Sequence, residues 1–190
     1  DKVASMLSLT QNPPELLHNY VEVQATETMG NGLFATKDIE KGYVITFVPI
    51  HAICDKKDIN KEGYKRHYFY NNIQFHLLTN YMVNMGEDYT IFMNREIHDN
   101  MSTVGHIIND SNPLHIEDGL ELDILKVRIK NAVIHYLNEK KNNNSMIKFI
   151  NDNTLIPVVA TKHIAKGEQI FMSYSHTFWM SEEQLVVYEE

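Results

Sequence analysis

The side chains whose types and spacing could do chemistry fall in three stretches. The first is Gly30-Asn31-Gly32-Leu33, in which two glycines flank one polar residue. Glycine tolerates positive φ and lets a ligand come close to the backbone, so peptide groups here could bind a charged small molecule. A phosphate cradle is excluded, because neither Gly-Lys-Ser/Thr nor Gly-x-Gly-x-x-Gly is present. The second stretch is Gly105-His106-Ile107-Ile108-Asn109-Asp110-Ser111. The Asn109 amide can donate and accept at once, although Asn-Asp-Ser also makes ordinary turns and helix caps. His106 could act as a base or a ligand; a lone histidine more often serves structure. The third stretch runs from Ala160 to Tyr174, with Trp179 five residues beyond. Tyr174 offers a phenol that donates and accepts. Cys54 is the single cysteine, and a thiol without a known electropositive setting is a plain small side chain.

The elements around these stretches read mostly as short strands. Tyr20-Val21-Glu22-Val23 alternates as a strand does, Met29–Gly32 is a turn, and Leu33-Phe34-Ala35 resumes extended structure. A charged turn, Lys37–Gly42, leads into the β-rich run Tyr43–Val48. Residues 64–85 fit either strands or an irregular helix, and Asp88–Met93 is a better strand. Glu121–Lys140 predicts a helix, with Leu122, Leu125, Ile129, Val133 and Leu137 on one face. Met146–Ile150 and Leu155–Ala160 read as a hairpin about Asn151-Asp152-Asn153. Gln169–Met172 is a last short strand, and Ser181-Glu182-Glu183-Gln184 is a capping box opening a terminal helix. Phe34–Gly42 is echoed by Val159–Gly167, which suggests two similar strand–turn–strand units within one fold.

Composition narrows the class. The 190 residues favour one domain with a sizeable core. No apolar run approaches the roughly 20 residues that span a bilayer, and no secretory signal opens the chain, so no membrane partner is expected. One cysteine excludes an internal disulfide framework and a cysteine-rich zinc cluster. The formal charge of −8 argues against sequence-independent DNA binding and suits a basic partner.

In order and separation the three stretches resemble the SET-domain protein lysine methyltransferases. Gly30-Asn31-Gly32-Leu33 resembles that family's cofactor loop, Asn109-Asp110-Ser111 its Asn-His-Ser motif, and Gly167-Glu168 followed by Tyr174 its Gly-Glu-Glu-Leu-x-x-x-Tyr motif. The resemblance covers about residues 20–180. It implies a mostly β fold with a helical insertion (α+β), built of short curled sheets with a C-terminal pseudoknot. It implies an N-terminal extension over 1–18, the SET domain over 19–180 with inserts at about 55–100 and 112–141, and a C-terminal helix over 181–190.

The resemblance also implies S-adenosyl-L-methionine as cofactor and Tyr174 as the catalytic residue. Gly30, Asn31, Gly32, Leu33, His106, Asn109, Asp110, Tyr174 and Trp179 are then the cofactor-binding candidates, and Tyr89, Phe171 and Met172 line the substrate channel. The substrate is a basic protein or peptide, a histone tail being the commonest kind. Such a target would place the protein inside the cell, in the nucleus or on chromatin. A catalytically weak SET-like module that binds peptides or scaffolds a complex is the alternative. Asp110 stands where the family usually has His, a change that a backbone contact survives and a side-chain role does not. Met172 replaces an aromatic residue that influences how many methyl groups are added. The second motif Asn is Asn142, Asn143 or Asn144, displaced by the insertion. With one cysteine, an aromatic lid around Phe178 and Trp179 takes the place of the family's zinc segment.

Overall fold

The computed structural model describes residues 8, 12, 15–55, 67–69, 82–85, 89–111, 122–150 and 155–174. Among these residues ten short strands form three small sheets. The first sheet begins with the predicted strand, turn and strand: β1 (Val21–Ala25) pairs antiparallel with β2 (Asn31–Ala35). Thr26 closes its loop, donating its hydroxyl to the Gly30 carbonyl at 2.9 Å and accepting the Met29 N–H at 2.8 Å. Gly30 takes φ 70°, a conformation that a side chain would disfavour. Gly32 does not use this freedom; it lies within β2.

The second sheet has the order β3 (Val44–Phe47), β9 (Pro157–Ala160), β8 (Ser145–Ile147). The third has β5 (His67–Phe69), β4 (Ala52–Asp55), β7 (Tyr89–Phe92) and β6 (Met82–Met85), so part of the ambiguous segment is strand. β10 (Gln169–Ile170) completes the first sheet on the free side of β2. All three sheets pack on one core, which includes Leu33, Ile39, Ile45, Ile53, Ile91, Ile108 and Ile164.

The two echoed segments are structural partners. Ile39 and Ile164 form an antiparallel bridge, each N–H donating to the other's carbonyl at 2.9 Å. Gly42 (φ 87°) and Gly167 (φ 83°) end the two turns in the same left-handed conformation. Each unit hands its chain to the other: the Gly42 N–H donates to Ala160, and the Gly167 N–H to Ala35.

The predicted helix spans Leu122–Leu137, and a separate turn of helix follows at Glu139–Asn142. Its inner face differs from the expected one. Ile129 and Ala132 are fully buried and Val133 is half-buried, but Leu137 is 80% exposed. The buried line runs Ile129, Ala132, Val133, Tyr136, and its last member faces the domain through a phenol rather than an apolar side chain. Among the described residues no helix is long and apolar enough to cross a membrane. The predicted capping box at 181–184 and the lid residues Phe178 and Trp179 lie outside the described residues.

Candidate active site

The three chemistry-bearing stretches come together at one end of the first sheet. β10 pairs Gln169 with Phe34 and Ile170 with Leu33 and goes no further. Among the described residues the Asn31–Gly32 end of β2 therefore has a strand on one side only, β1. Asn109 fills part of the other side, its Nδ2 donating to the Asn31 carbonyl at 3.1 Å. Gly32 makes that approach possible. A Cβ there would lie 2.6 Å from Gln169 Nε2, 2.9 Å from Thr26 Cγ2 and 3.1 Å from Asn109 Nδ2. Among the described residues Gln169 Nε2 is a buried donor with no acceptor, so a side-chain amide stands unsatisfied against the Gly-x-Gly backbone.

Tyr174 is reached from the same loop. A 3-10 turn, Gly105–Ile107, anchors the loop, and Ile108 beyond it is fully buried. Asn109 then pairs in parallel with Phe171, and its carbonyl accepts the Met172 N–H at 3.0 Å. Two residues on, the Tyr174 N–H donates to Asp110 Oδ2 at 2.9 Å, and the Tyr174 hydroxyl donates to the Ile108 carbonyl at 2.6 Å. Tyr174 is half-buried and packs against the core.

The other flank of the same segment is held by Asn144. Its Oδ1 accepts the Phe171 N–H at 2.8 Å, and its Nδ2 donates to the Gln169 carbonyl and to Glu168 Oε1. The Asn144 and Ser145 N–H groups and the Ser145 hydroxyl all donate to the Phe171 carbonyl. Residues 171–174 are thus laced between 108–110 on one side and 144–145 on the other. Of the three asparagines left open, Asn144 alone ties to this segment. Asn142 is exposed, with its Nδ2 3.3 Å from His135 Nδ1, and the buried Asn143 amide meets no partner among the described residues.

The chain matches the SET domain over residues 30–175, most of its length and all three stretches. The chain belongs to the SET-domain family. Among solved structures it is similar to a candidate histone methyltransferase of Plasmodium falciparum, with 18% identity and a TM-score of 0.44. That likeness covers 86% of this chain and 100% of the Plasmodium chain. No curated protein matches the sequence.

Within this SET domain the remaining predicted residues take varied places. Asn31 is exposed at the edge of β2, whereas the Leu33 side chain is fully buried in the core. Met172 is buried, Phe171 half-buried, and Tyr89 stands half-buried on β7. His106 is buried one turn before Asn109, its Nε2 3.1 Å from the Asn94 carbonyl and its ring 5.6 Å edge-on to His51. Burial, aided by the neighbouring His51, pushes its pKa down to about 3. The ring is neutral at ordinary pH and braces the loop. Asp110 is not merely a backbone contact: its carboxylate, fully buried, accepts from both Tyr174 and Tyr136.

Sequence reasoning missed Gln169, Tyr136 and the carboxylate role of Asp110. Gln169 sits within a motif, at a place where the family has a second Glu, and that departure was the available signal. Nothing in the spacing of Tyr136 relates it to Asp110, 26 residues earlier.

Proposed function

We propose that this SET domain transfers a methyl group from S-adenosyl-L-methionine to the side-chain amine of a lysine in a basic protein. The observation that carries the reading is the convergence of the three motif segments: the Asn109 amide donates to the Asn31 carbonyl beside Gly32, and Tyr174 binds Ile108 and Asp110, the two neighbours of Asn109. The residues present fit the cofactor. An open backbone edge at Asn31–Gly32, with the Asn109 amide and the orphaned Gln169 donor against it, suits the charged amino-acid end of such a molecule. When bound, S-adenosylmethionine supplies an electrophilic methyl group on a sulfonium centre.

The chain's own residues then have limited tasks. An acceptor amine needs a free lone pair, so a desolvated, narrow channel that depresses a lysine pKa favours the reactive form. Met172, buried beside Asn109, and half-buried Phe171 provide apolar surface where that channel would run. Tyr174 spends its proton on the Ile108 carbonyl, so its oxygen can accept a hydrogen bond from the incoming amine and orient it. Alignment of this kind, not strong base catalysis, is what an in-line displacement asks of a protein. The −8 charge supports a basic substrate, and a histone tail is one such substrate.

The test is incubation with labelled cofactor against histones, ribosomal proteins and peptide arrays, alongside calorimetry. We expect binding of the cofactor or its demethylated product, label on lysine, and loss of about 100-fold or more in transfer for Tyr174→Phe with binding kept. Absence of binding at millimolar cofactor overturns the enzyme reading in favour of a peptide-binding module. Unchanged turnover in Tyr174→Phe removes Tyr174 from the reaction.

A further inference from the structure

The insertion helix is more than a decoration on this SET domain. Asp110 lies under it, with its side chain fully buried. A buried carboxylate is costly unless its oxygens are hydrogen-bonded, and Asp110 Oδ2 is served from two directions. The Tyr174 N–H donates to it at 2.9 Å from the C-terminal segment, and the Tyr136 hydroxyl at 3.1 Å from the last turn of the helix. His135, the preceding residue, adds to the same junction. Its Nε2 stands 3.9 Å from Asp110 Oδ1 and 3.3 Å from Ser111 Oγ, and its Nδ1 stands 3.3 Å from Asn142 Nδ2. His135 and Tyr136 also pack edge to face, with ring centroids 5.6 Å apart.

We propose that Asp110 is a positioning residue for Tyr174, and that the insertion helix sets the place of Tyr174 through the Tyr136–Asp110–Tyr174 hydrogen-bond chain. Hydrogen bonds to a charged acceptor are short and directional. One carboxylate oxygen shared by a backbone N–H and a phenol therefore couples the two. Moving the end of the helix moves Asp110, and with it the backbone that carries the Tyr174 ring. The Tyr174 hydroxyl is tied separately to Ile108, two residues before Asp110, so both ends of the tyrosine are referred to one loop. A substitution on the insertion helix can thus alter the reaction without touching cofactor or substrate.

The catalytic part of this proposal rests on the methyl-transfer reading, so the experiment has an arm that does not need activity. Protein labelled with 15N-tyrosine is compared as wild type, Tyr136→Phe, Asp110→Ala and Asp110→Asn, with Tyr174→Phe used to assign the Tyr174 amide. We expect the Tyr174 amide signal to shift in Tyr136→Phe and to shift and exchange faster in Asp110→Ala. Asp110→Asn, which keeps an acceptor in place, restores most of the signal. In the activity arm, kcat falls about tenfold in Asp110→Ala and about threefold in Tyr136→Phe, the losses expected for single hydrogen bonds, with KM for the cofactor nearly unchanged. Asp110→Asn recovers most of the Asp110→Ala loss. A Tyr174 amide that ignores Tyr136→Phe overturns the link to the helix. Losses confined to KM, or no rescue by Asn, overturn the positioning role. If wild-type protein transfers no methyl group, the methyl-transfer reading fails, and the amide signals alone decide the coupling.

Discussion

At Gly32 a single methyl group decides whether three segments can meet. The Cβ of an alanine would press on Gln169 Nε2, Thr26 Cγ2 and Asn109 Nδ2, all at or near 3 Å or less. Gln169 is long and can swing aside. Thr26 is short and pinned by its bonds to Gly30 and Met29, and Asn109 is pinned by its bond to Asn31. Gly32→Ala is therefore expected to lose about 1–3 kcal/mol of stability through overpacking, measured by urea unfolding. Calorimetry should show a larger proportional effect on affinity for the proposed cofactor, a drop of about tenfold, because the displaced groups line the edge proposed to bind it. Asp110 and Asn144 make a related point. Both amide and carboxylate were visible in the sequence, but their partners at Tyr174 and Phe171 lie tens of residues away, and spacing along the chain carries no record of that proximity.

At the scale of elements, the echoed turns were legible and their relation to each other was not. Charged turns that end in Lys-Gly are local features, and each glycine adopts a left-handed conformation. That Ile39 and Ile164 would pair, both almost completely buried, follows only from the two units packing face to face. Ile164→Ala should cost about 2–5 kcal/mol, the range for emptying a filled core site, in equilibrium unfolding. The insertion helix shows the opposite case. Its 3.6-residue period predicts the helix that forms, but Leu137, which falls on the apolar stripe, is exposed. Periodicity identifies a stripe and does not say where along the helix the domain ends beneath it. Leu137→Gln should change stability by about 0.5 kcal/mol or less, as surface substitutions do, and the same unfolding series checks it. A loss as large as that of Ile164→Ala would show that the helix packs differently.

For the whole molecule, the pair of half-buried His51 and buried His106 sets a limit on the acid side. Burial pushes His51 down to about 4 and His106 to about 3. Asp99, near His51, resists the shift but does not reverse it. In the unfolded chain both rings take up protons below about 6.5. Between these values the unfolded state holds more protons than the folded state, so stability falls as pH drops from about 6.5 towards 3. Above about pH 7 both states are neutral at these rings and the contribution vanishes. The expected outcome is a steeper loss of urea midpoint between pH 6.5 and 4 in wild type than in His106→Gln, at about 1.4 kcal/mol per unit of depressed pKa. Equal slopes would show that the ring is not neutral in the fold. His106 was a cofactor-binding candidate in the sequence because of its place in the motif. In the structure it makes a hydrogen bond to Asn94 and an edge contact with His51.

The sequence by itself determined the three motif stretches, the mostly β character with one inserted helix, and the family, because these depend on local residue type, alternation and order. It also showed the −8 charge on which a basic substrate is proposed. Tertiary structure alone decided that Asn144 is the asparagine holding the C-terminal segment, that the echoed turns bridge each other, and that Asp110 and Tyr136 stand behind Tyr174. The physical reason is common to all three. Each is a hydrogen bond between groups far apart in sequence, formed in a buried setting that exists only once the sheets have closed over the core.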